Sequence, residues 1–295
     1  MLEIVKSVRM LLKHPLSRGR FSRIAFNTAK WQLASRLLRK EMIYDWVGGT
    51  KFYVRRGETG LTGNIYTGLL EFSDMMFLLH FLAAGDLFAD IGANSGAYTI
   101  LASGVKRART CAFEPVPSTY ERLVRNIALN RIEGLATPLR CAVGDKAGQV
   151  HFSSQFDTMN RVTEAQSRSA IVVDVTTLDD AFIDDLPALI KIDVEGYEEA
   201  VLRGGDRVLR QPAVQAIIAE VNEASHAYGF DESEVLRLLN RYGFFPCAYD
   251  PFRRLFTPLQ GLNSNDNNTI FVRDIAALTR KIAQSALIGI GGRLL

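Results

Sequence analysis

Short apolar runs that end on an acid or a polar turn, most of them followed by a helical pattern, recur along this chain and leave it few folds. The run 87-LFAD-90 leads to a helical stretch over 95–103, and 110-TCAFE-114 to another over 117–130. A third strand, 136-ATPLRCAV-143, follows. The strand 188-ALIKID-193 precedes a helix starting near Glu198, and 214-VQAIIAEVN-222 precedes one over 231–242. Strands this apolar are buried on both faces, which predicts a mostly parallel α/β sheet with helices on each side. The last runs, 244-FFPCAYD-250 and 269-TIFVR-273, have no long helix between them and are expected to pair as an antiparallel C-terminal hairpin. Before the first sheet strand, 51-KFYVRR-56 reads as a short strand. Residues 68–86 have a helical period, with Leu70, Met75, Phe77, Leu78 and Phe81 on one side. The runs 149-QVHFSS-154 and 170-AIVVDVTTL-178 read as a hairpin or edge insertion around a polar loop.

Ligands of such sheets bind beyond the C-terminal strand ends, where the connections diverge. That rule selects the loop after Asp90, the residues after Glu114, Cys141–Gly144, Asp193–Gly196 and Glu220–Glu223. The first loop, 90-DIGANSG-96, has two glycines four apart. It lacks the G-x-G-x-x-G spacing of a dinucleotide fingerprint and the lysine of a phosphate loop. Asp90 would repel a phosphate at close range, so the loop suits a ligand with a cationic or hydroxyl-bearing part, as S-adenosylmethionine has. Glu114, at the next strand end, is placed to accept hydrogen bonds from two ribose hydroxyls, a role that by itself fits a nicotinamide cofactor equally well. In 189-LIKIDVEGYEEAVLRGG-205 the acids Asp193, Glu195 and Glu198 crowd around a turn that Gly196 permits. Taken alone they are the N-terminal acids of a helix; at a strand end of this sheet they also become candidates for the cofactor ammonium and the acceptor pocket.

Taken together, D-I-G-A-N-S-G, A-F-E-P-V-P with a following N-I-A-L-N, and K-I-D-V-E-G-Y-E with L-R-G-G resemble the FkbM family of methyltransferases over roughly residues 60–275. The resemblance implies a Rossmann-like class I methyltransferase fold with a seven-stranded sheet. It also implies transfer of a methyl group from S-adenosylmethionine to a hydroxyl of a sugar, glycan or glycosylated metabolite. It maps Asp90, Gly92, Asn94 and Gly96 to the cofactor loop, Glu114 to the ribose acid, and Asp193, Glu195 and Gly196 to the family's D-x-E-G. It also matches Glu71 to an acid found before the first strand. Ala93, Pro115 and Ala142 complete the expected cofactor contacts. A sugar hydroxyl is a very weak acid, so a base should take its proton. Asp193 and Glu195 are the candidates, with His226 in 220-EVNEASHAYG-229 as a rival. A non-catalytic scaffold on the same fold and a nicotinamide oxidoreductase stay open as alternatives.

Charge is divided unevenly. Residues 1–40 carry ten Lys/Arg and one acid, +9, which leaves −6 for the rest of a chain whose net charge is +3. Apolar residues are interleaved with those charges. Residues 1–50 therefore read as a basic amphipathic helical extension, 51–280 as the methyltransferase domain, and 281–295 as a tail or helix. The basic segment either attaches to an anionic membrane face or packs on the main domain or a second copy of the chain. Its apolar residues form no uninterrupted run, so it is not a secretory signal, and no run in the chain is long enough to span a bilayer. Because the excess charge lies at the N-terminus and D-V-E-G stands where nucleic-acid methylases carry N-P-P-Y, no nucleic-acid partner is expected. Cys111, Cys141 and Cys247 form no paired framework and the four histidines no ligand pair, which predicts a reducing, cytoplasmic setting and no metal.

Overall fold

The structure, a computed structural model, describes residues 14–17, 21–38, 40–55, 59–153, 170–221 and 231–295. Among the described residues eight strands make the central sheet: β1 (Leu87–Ile91), β2 (Arg109–Phe113), β3 (Ala136–Leu139), β4 (Leu189–Ile192), β5 (Ala216–Glu220), β6 (Phe245–Asp250), β7 (Leu255–Pro258) and β8 (Asn268–Val272). Their order is β7-β6-β8-β5-β4-β1-β2-β3. The five strands from β3 to β5 are parallel, and β8, β6 and β7 continue the sheet antiparallel. The expected C-terminal pairing is present as Phe245–Cys247 against Ile270–Val272.

Two expectations need correction. The sheet has eight strands rather than seven, because Leu255–Pro258 adds to the outer side of β6. This edge segment is mostly exposed and has no apolar run, so only its pairing partner makes it a strand. The single strand read over 136–143 is two. Pro138, which has no N–H to donate, is tolerated because β3 is the opposite edge. Ala142–Val143 then leaves for a separate three-stranded sheet with the hairpin Gly148–Ser153 and Ala170–Thr176.

Strand alternation divides the core in two. Phe88, Leu189, Ile218 and Ile270 face helices α3 (Phe72–Phe81) and α7 (Ile275–Ala283). Ala89, Ile190, Ile217 and Phe271 face α5 (Glu198–Arg203) and α6 (Glu232–Arg241). The described part of the N-terminal segment packs on the first of these cores and in a smaller cluster beside them. Leu16 packs with Leu69, Phe72 and Ile290, the last in a short hairpin of Gly289–Ile290 with Arg293–Leu294, and Trp31 of α1 (Phe21–Leu38) packs with Phe52, Val54 and Ile65, the last on α2 (Thr59–Thr67). Among the described residues no helix is long and apolar enough to cross a membrane.

Two sequence motifs turn out to serve packing. Asn126 of α4 (Pro117–Leu129) and Asn130, which caps its C-terminal end, latch the strand Lys51–Val54. Asn126 Oδ1 accepts from the Tyr53 amide at 2.8 Å, and Asn130 exchanges two 2.7 Å bonds with the Lys51 backbone. In L-R-G-G, a Cβ on Gly204 would lie 2.0 Å from the Gly144 carbonyl oxygen, so the turn after α5 can close on that loop only with glycine there.

Candidate active site

The chain winds from β1 outward to β3 and then returns to place β4 on the other side of β1. That reversal opens a crevice between the β1 and β4 ends, and a cavity of about 320 Å³ lies there. Its lining includes Glu71, Asp90, Gly92, Ala93, Asn94, Glu114, Pro115, Ala142, Asp193 and Glu195. Of the described sequence-predicted residues, Gly96, Gly196 and Glu198 stand back from it. Gly96 starts the following helix at φ +90°, where a Cβ would meet Leu123 Cδ1 at 2.6 Å. His226 lies outside the described residues, as do Asn222 and Glu223.

The glycine loop spends its own amides. The N–H groups of Gly92 and Ala93 both donate to the Phe113 carbonyl, at 3.0 and 2.9 Å, and that of Gly96 to the Ala93 carbonyl at 2.8 Å. The Asn94 amide donates to Glu114 Oε2 at 3.0 Å and the Ser95 amide to Asn94 Oδ1 at 2.6 Å. Five consecutive donors are thereby used inside the protein, whereas a phosphate-binding loop points its amides at the anion. Gly92 is required for another reason: a Cβ there would sit 1.8 Å from the Asp193 carbonyl oxygen. The loops after β1 and β4 meet at that contact.

Glu114 both lines the cavity and braces it. Its Oε1 accepts from the Val116 amide at 2.9 Å and its Oε2 from Asn94, leaving further lone pairs for a ligand. Burial pushes its carboxyl up to about 7, against the pull of those amides. Asp90, 1% exposed, accepts from the Thr99 hydroxyl at 2.6 Å; burial raises it to about 6, while Lys191 opposes the shift.

The sequence reading missed Lys191, Tyr98 and Asp74, and it selected Glu220 as a strand end without giving it a role. Lys191 pairs in register with Asp90, and its Nζ donates to Asp193 Oδ2 at 2.6 Å while standing 4.7 Å from the Tyr98 ring centre. Burial works against its charge, yet the carboxylates of Asp193, Glu71 and Asp90 outweigh it and hold the ammonium above its ordinary range. Tyr98 donates to Glu71 Oε2 at 2.5 Å. Below Glu71, buried Asp74 accepts from Asn268 and is raised to about 8, chiefly by burial and then by the Glu71 charge. Glu220 is raised to about 9 by burial and by Asp193, with which its carboxyl is hydrogen-bonded. A lysine inside a strand as apolar as Leu189–Ile192 was the available signal, because a buried charge needs a partner.

The turn that carries Asp193 and Glu195 is clamped from within. Glu198 Oε1 accepts from the Val194 and Gly196 amides at 3.2 and 3.1 Å. Glu195 and Gly196 have φ of 54° and 99°, so a non-glycine residue is held left-handed at the cavity wall. Such strain persists only where surrounding contacts impose it.

A family model described as Methyltransferase FkbM domain matches residues 90–246, from the acid in β1 into β6. The Hexuronic acid methyltransferase AglP of Haloferax volcanii is 29% identical over 158 residues, 52% of this chain and 62% of that protein. Methyltransferase sdnD of Sordaria araneosa is 27% identical over 171 residues, 46% of this chain and 66% of its own length. The chain thus matches less than two thirds of each of these relatives. Among solved structures, the precorrin-6y C5,15-methyltransferase of Geobacter metallireducens aligns at 14% identity and a TM-score of 0.41, covering 75% of this chain and 92% of that one. That likeness is too loose to carry an argument.

Proposed function

The chain belongs to the FkbM methyltransferase family, and we propose that it moves a methyl group from S-adenosylmethionine to a hydroxyl of a sugar, glycan or glycosylated metabolite. The observation that carries this reading is the cavity's chemistry: an acid-lined well whose glycine loop has spent its five amides internally. Such a well suits a cation with a ribose diol better than a pyrophosphate. The residues fit that cofactor: Glu114 for the diol, Asp193 and Glu71 for the ammonium, and Ala93, Pro115 and Ala142 as apolar walls. When bound, S-adenosylmethionine supplies a methyl group on an already activated sulfonium. The relative that acts on a hexuronic acid supports a sugar-type acceptor.

The protein's own task is then to align the acceptor oxygen and to receive its proton. Alignment is worth roughly 7–11 kcal/mol in favourable cases, and a placed base about 10²–10⁴-fold in rate. Asp193 and Glu195 both face the cavity. Asp193 already takes a charge-assisted bond from Lys191 and a second from Glu220, so it serves chiefly to order the site. Glu195, held left-handed at the wall, is the carboxylate we assign to the acceptor proton.

Transfer of labelled methyl from S-adenosylmethionine to a panel of neutral sugars, hexuronates and glycosylated lipids tests the reading. Incorporation into at least one acceptor is expected. In Glu195→Gln, turnover should fall by at least about 10²-fold with cofactor affinity kept, whereas Asp193→Asn should lose both. Bound cofactor with no transfer to any acceptor would favour the scaffold alternative, and NADH competing for the cavity would overturn the cofactor.

A further inference from the structure

Helix α1 presents two different faces. On its inner side Trp31 and Ser35 are 7% and 3% exposed, Trp31 packing against Phe52, Val54, Leu61, Ile65 and Ile100. On the opposite side Phe26, Leu33 and Leu37 are 66%, 61% and 72% exposed. At 3.6 residues per turn, positions 26, 30, 33 and 37 fall on one stripe, so the exposed Lys30 stands in line with the three apolar side chains. Arg36 and Lys40, also exposed, flank it. Helix packing therefore leaves a second, outward apolar stripe in the most basic part of the chain.

We propose that this stripe docks on an anionic lipid bilayer, with α1 lying in the interface plane. Charge selects the occupant. Residues 1–40 carry +9 while the remainder carries −6, so an anionic surface attracts this end of the molecule. A second copy, meeting it stripe to stripe, would set like charge against like. Large apolar side chains interleaved with basic ones are what an interfacial helix needs, the former entering the acyl boundary and the latter meeting headgroups. The consequence for the site is positional. Helix α1 packs on α2, and Leu61 of α2 lines the cavity, so docking would bring the cavity's wall close to the surface where an amphiphilic acceptor resides. The inference stands apart from the methyl-transfer chemistry, and its test uses no activity measurement to decide it.

The full chain should co-sediment with phosphatidylglycerol–phosphatidylcholine vesicles and not with phosphatidylcholine alone, and added salt should weaken the binding. Phe26→Ser/Leu33→Ser/Leu37→Ser should lower the partition coefficient at least about tenfold, with the circular-dichroism spectrum unchanged. Should that variant fail to fold, Lys30→Glu/Arg36→Glu decides, with a similar loss confined to anionic vesicles. Absence of vesicle binding by the full chain at low salt, or undiminished binding in the variants, would overturn the proposal. A full chain that is dimeric and a triple variant that is monomeric, with vesicle binding unchanged, would assign the stripe to a second copy instead.

Discussion

Glu114 lines the cavity and braces the loop beside it at once. Its two oxygens hold the Asn94 and Val116 amides, so it fixes the approach to the cavity before any ribose arrives. Glu114→Ala is therefore expected to do more than remove a ligand contact. Two partly or fully buried amides lose their acceptor, a stability cost of about 1–3 kcal/mol, and cofactor affinity falls by a further 1.5–3 kcal/mol, roughly 10- to 150-fold. Calorimetric titration and thermal unfolding of the same variant separate the two effects. Unchanged affinity would remove Glu114 from the ribose. Because burial raises its carboxyl to about 7, the ionised form that accepts from a diol is depleted below that pH. Affinity should accordingly weaken as pH falls from 8 to 6.

At the scale of elements, the strand Met42–Asp45 and its partner Lys51–Val54 form a ribbon of their own, not hydrogen-bonded to the main sheet. A two-stranded ribbon is marginal alone, and this one is held by Phe52 and Val54 in the Trp31 cluster and by the asparagine latch from α4. The latch also reaches the glycine loop after β1, since Asn126 Nδ2 donates to the Ser95 carbonyl at 2.8 Å. Asn126→Ala should orphan both the Tyr53 amide and the Ser95 carbonyl and cost about 1–3 kcal/mol. Hydrogen exchange should then quicken at Tyr53 well before it changes in β1 or β4. Unaltered exchange at Tyr53 would mean that apolar packing alone holds the ribbon.

For the whole molecule, the concentration of buried acids at one crevice has a cost that varies with pH. Burial raises Glu114 and Glu198 to about 7, Asp74 to about 8 and Glu220 to about 9. A carboxyl whose folded pKa is raised stabilises the fold fully below its unfolded value, near 4, and that stability is lost as pH rises through the folded value. His80, lowered to about 4 by burial, works in the opposite direction only below about 6.5. Lys191, raised, contributes a constant amount across this window. The cofactor-free protein should therefore lose stability between about pH 6.5 and 9, on the order of 1 kcal/mol per pH unit for each acid still titrating. Melting temperatures across that range check the sign. A cationic ligand in the crevice should flatten the decline, and a melting temperature that rises toward pH 9 would contradict the picture.

Sequence pattern alone was enough for the layered α/β architecture, the strand ends that meet at the cavity, and the glycine loop after β1. All of these follow from local pattern: apolar runs long enough to be buried, acids and glycines at their ends, and helical periods after most of them. It also pointed to Glu71, Asp90, Glu114, Asp193 and Glu195, and the fold brings all five to one cavity. What it left undecided depends on partners distant in the chain. Leu255–Pro258 has no strand pattern and is ordered by β6 alone. The asparagines of N-I-A-L-N and the glycines of L-R-G-G are motifs without a role in the sequence, and their contacts show Asn126 and Asn130 bracing a ribbon and Gly204 a turn. Lys191 reads as a stray charge in an apolar strand until Asp193, Glu71 and Asp90 surround it, and Glu220 as a strand end until it meets Asp193. Periodicity along the chain specifies which face of an element is buried. Only the packing of elements decides which charges become neighbours, because electrostatic energy depends on separation in space and on the water removed between groups.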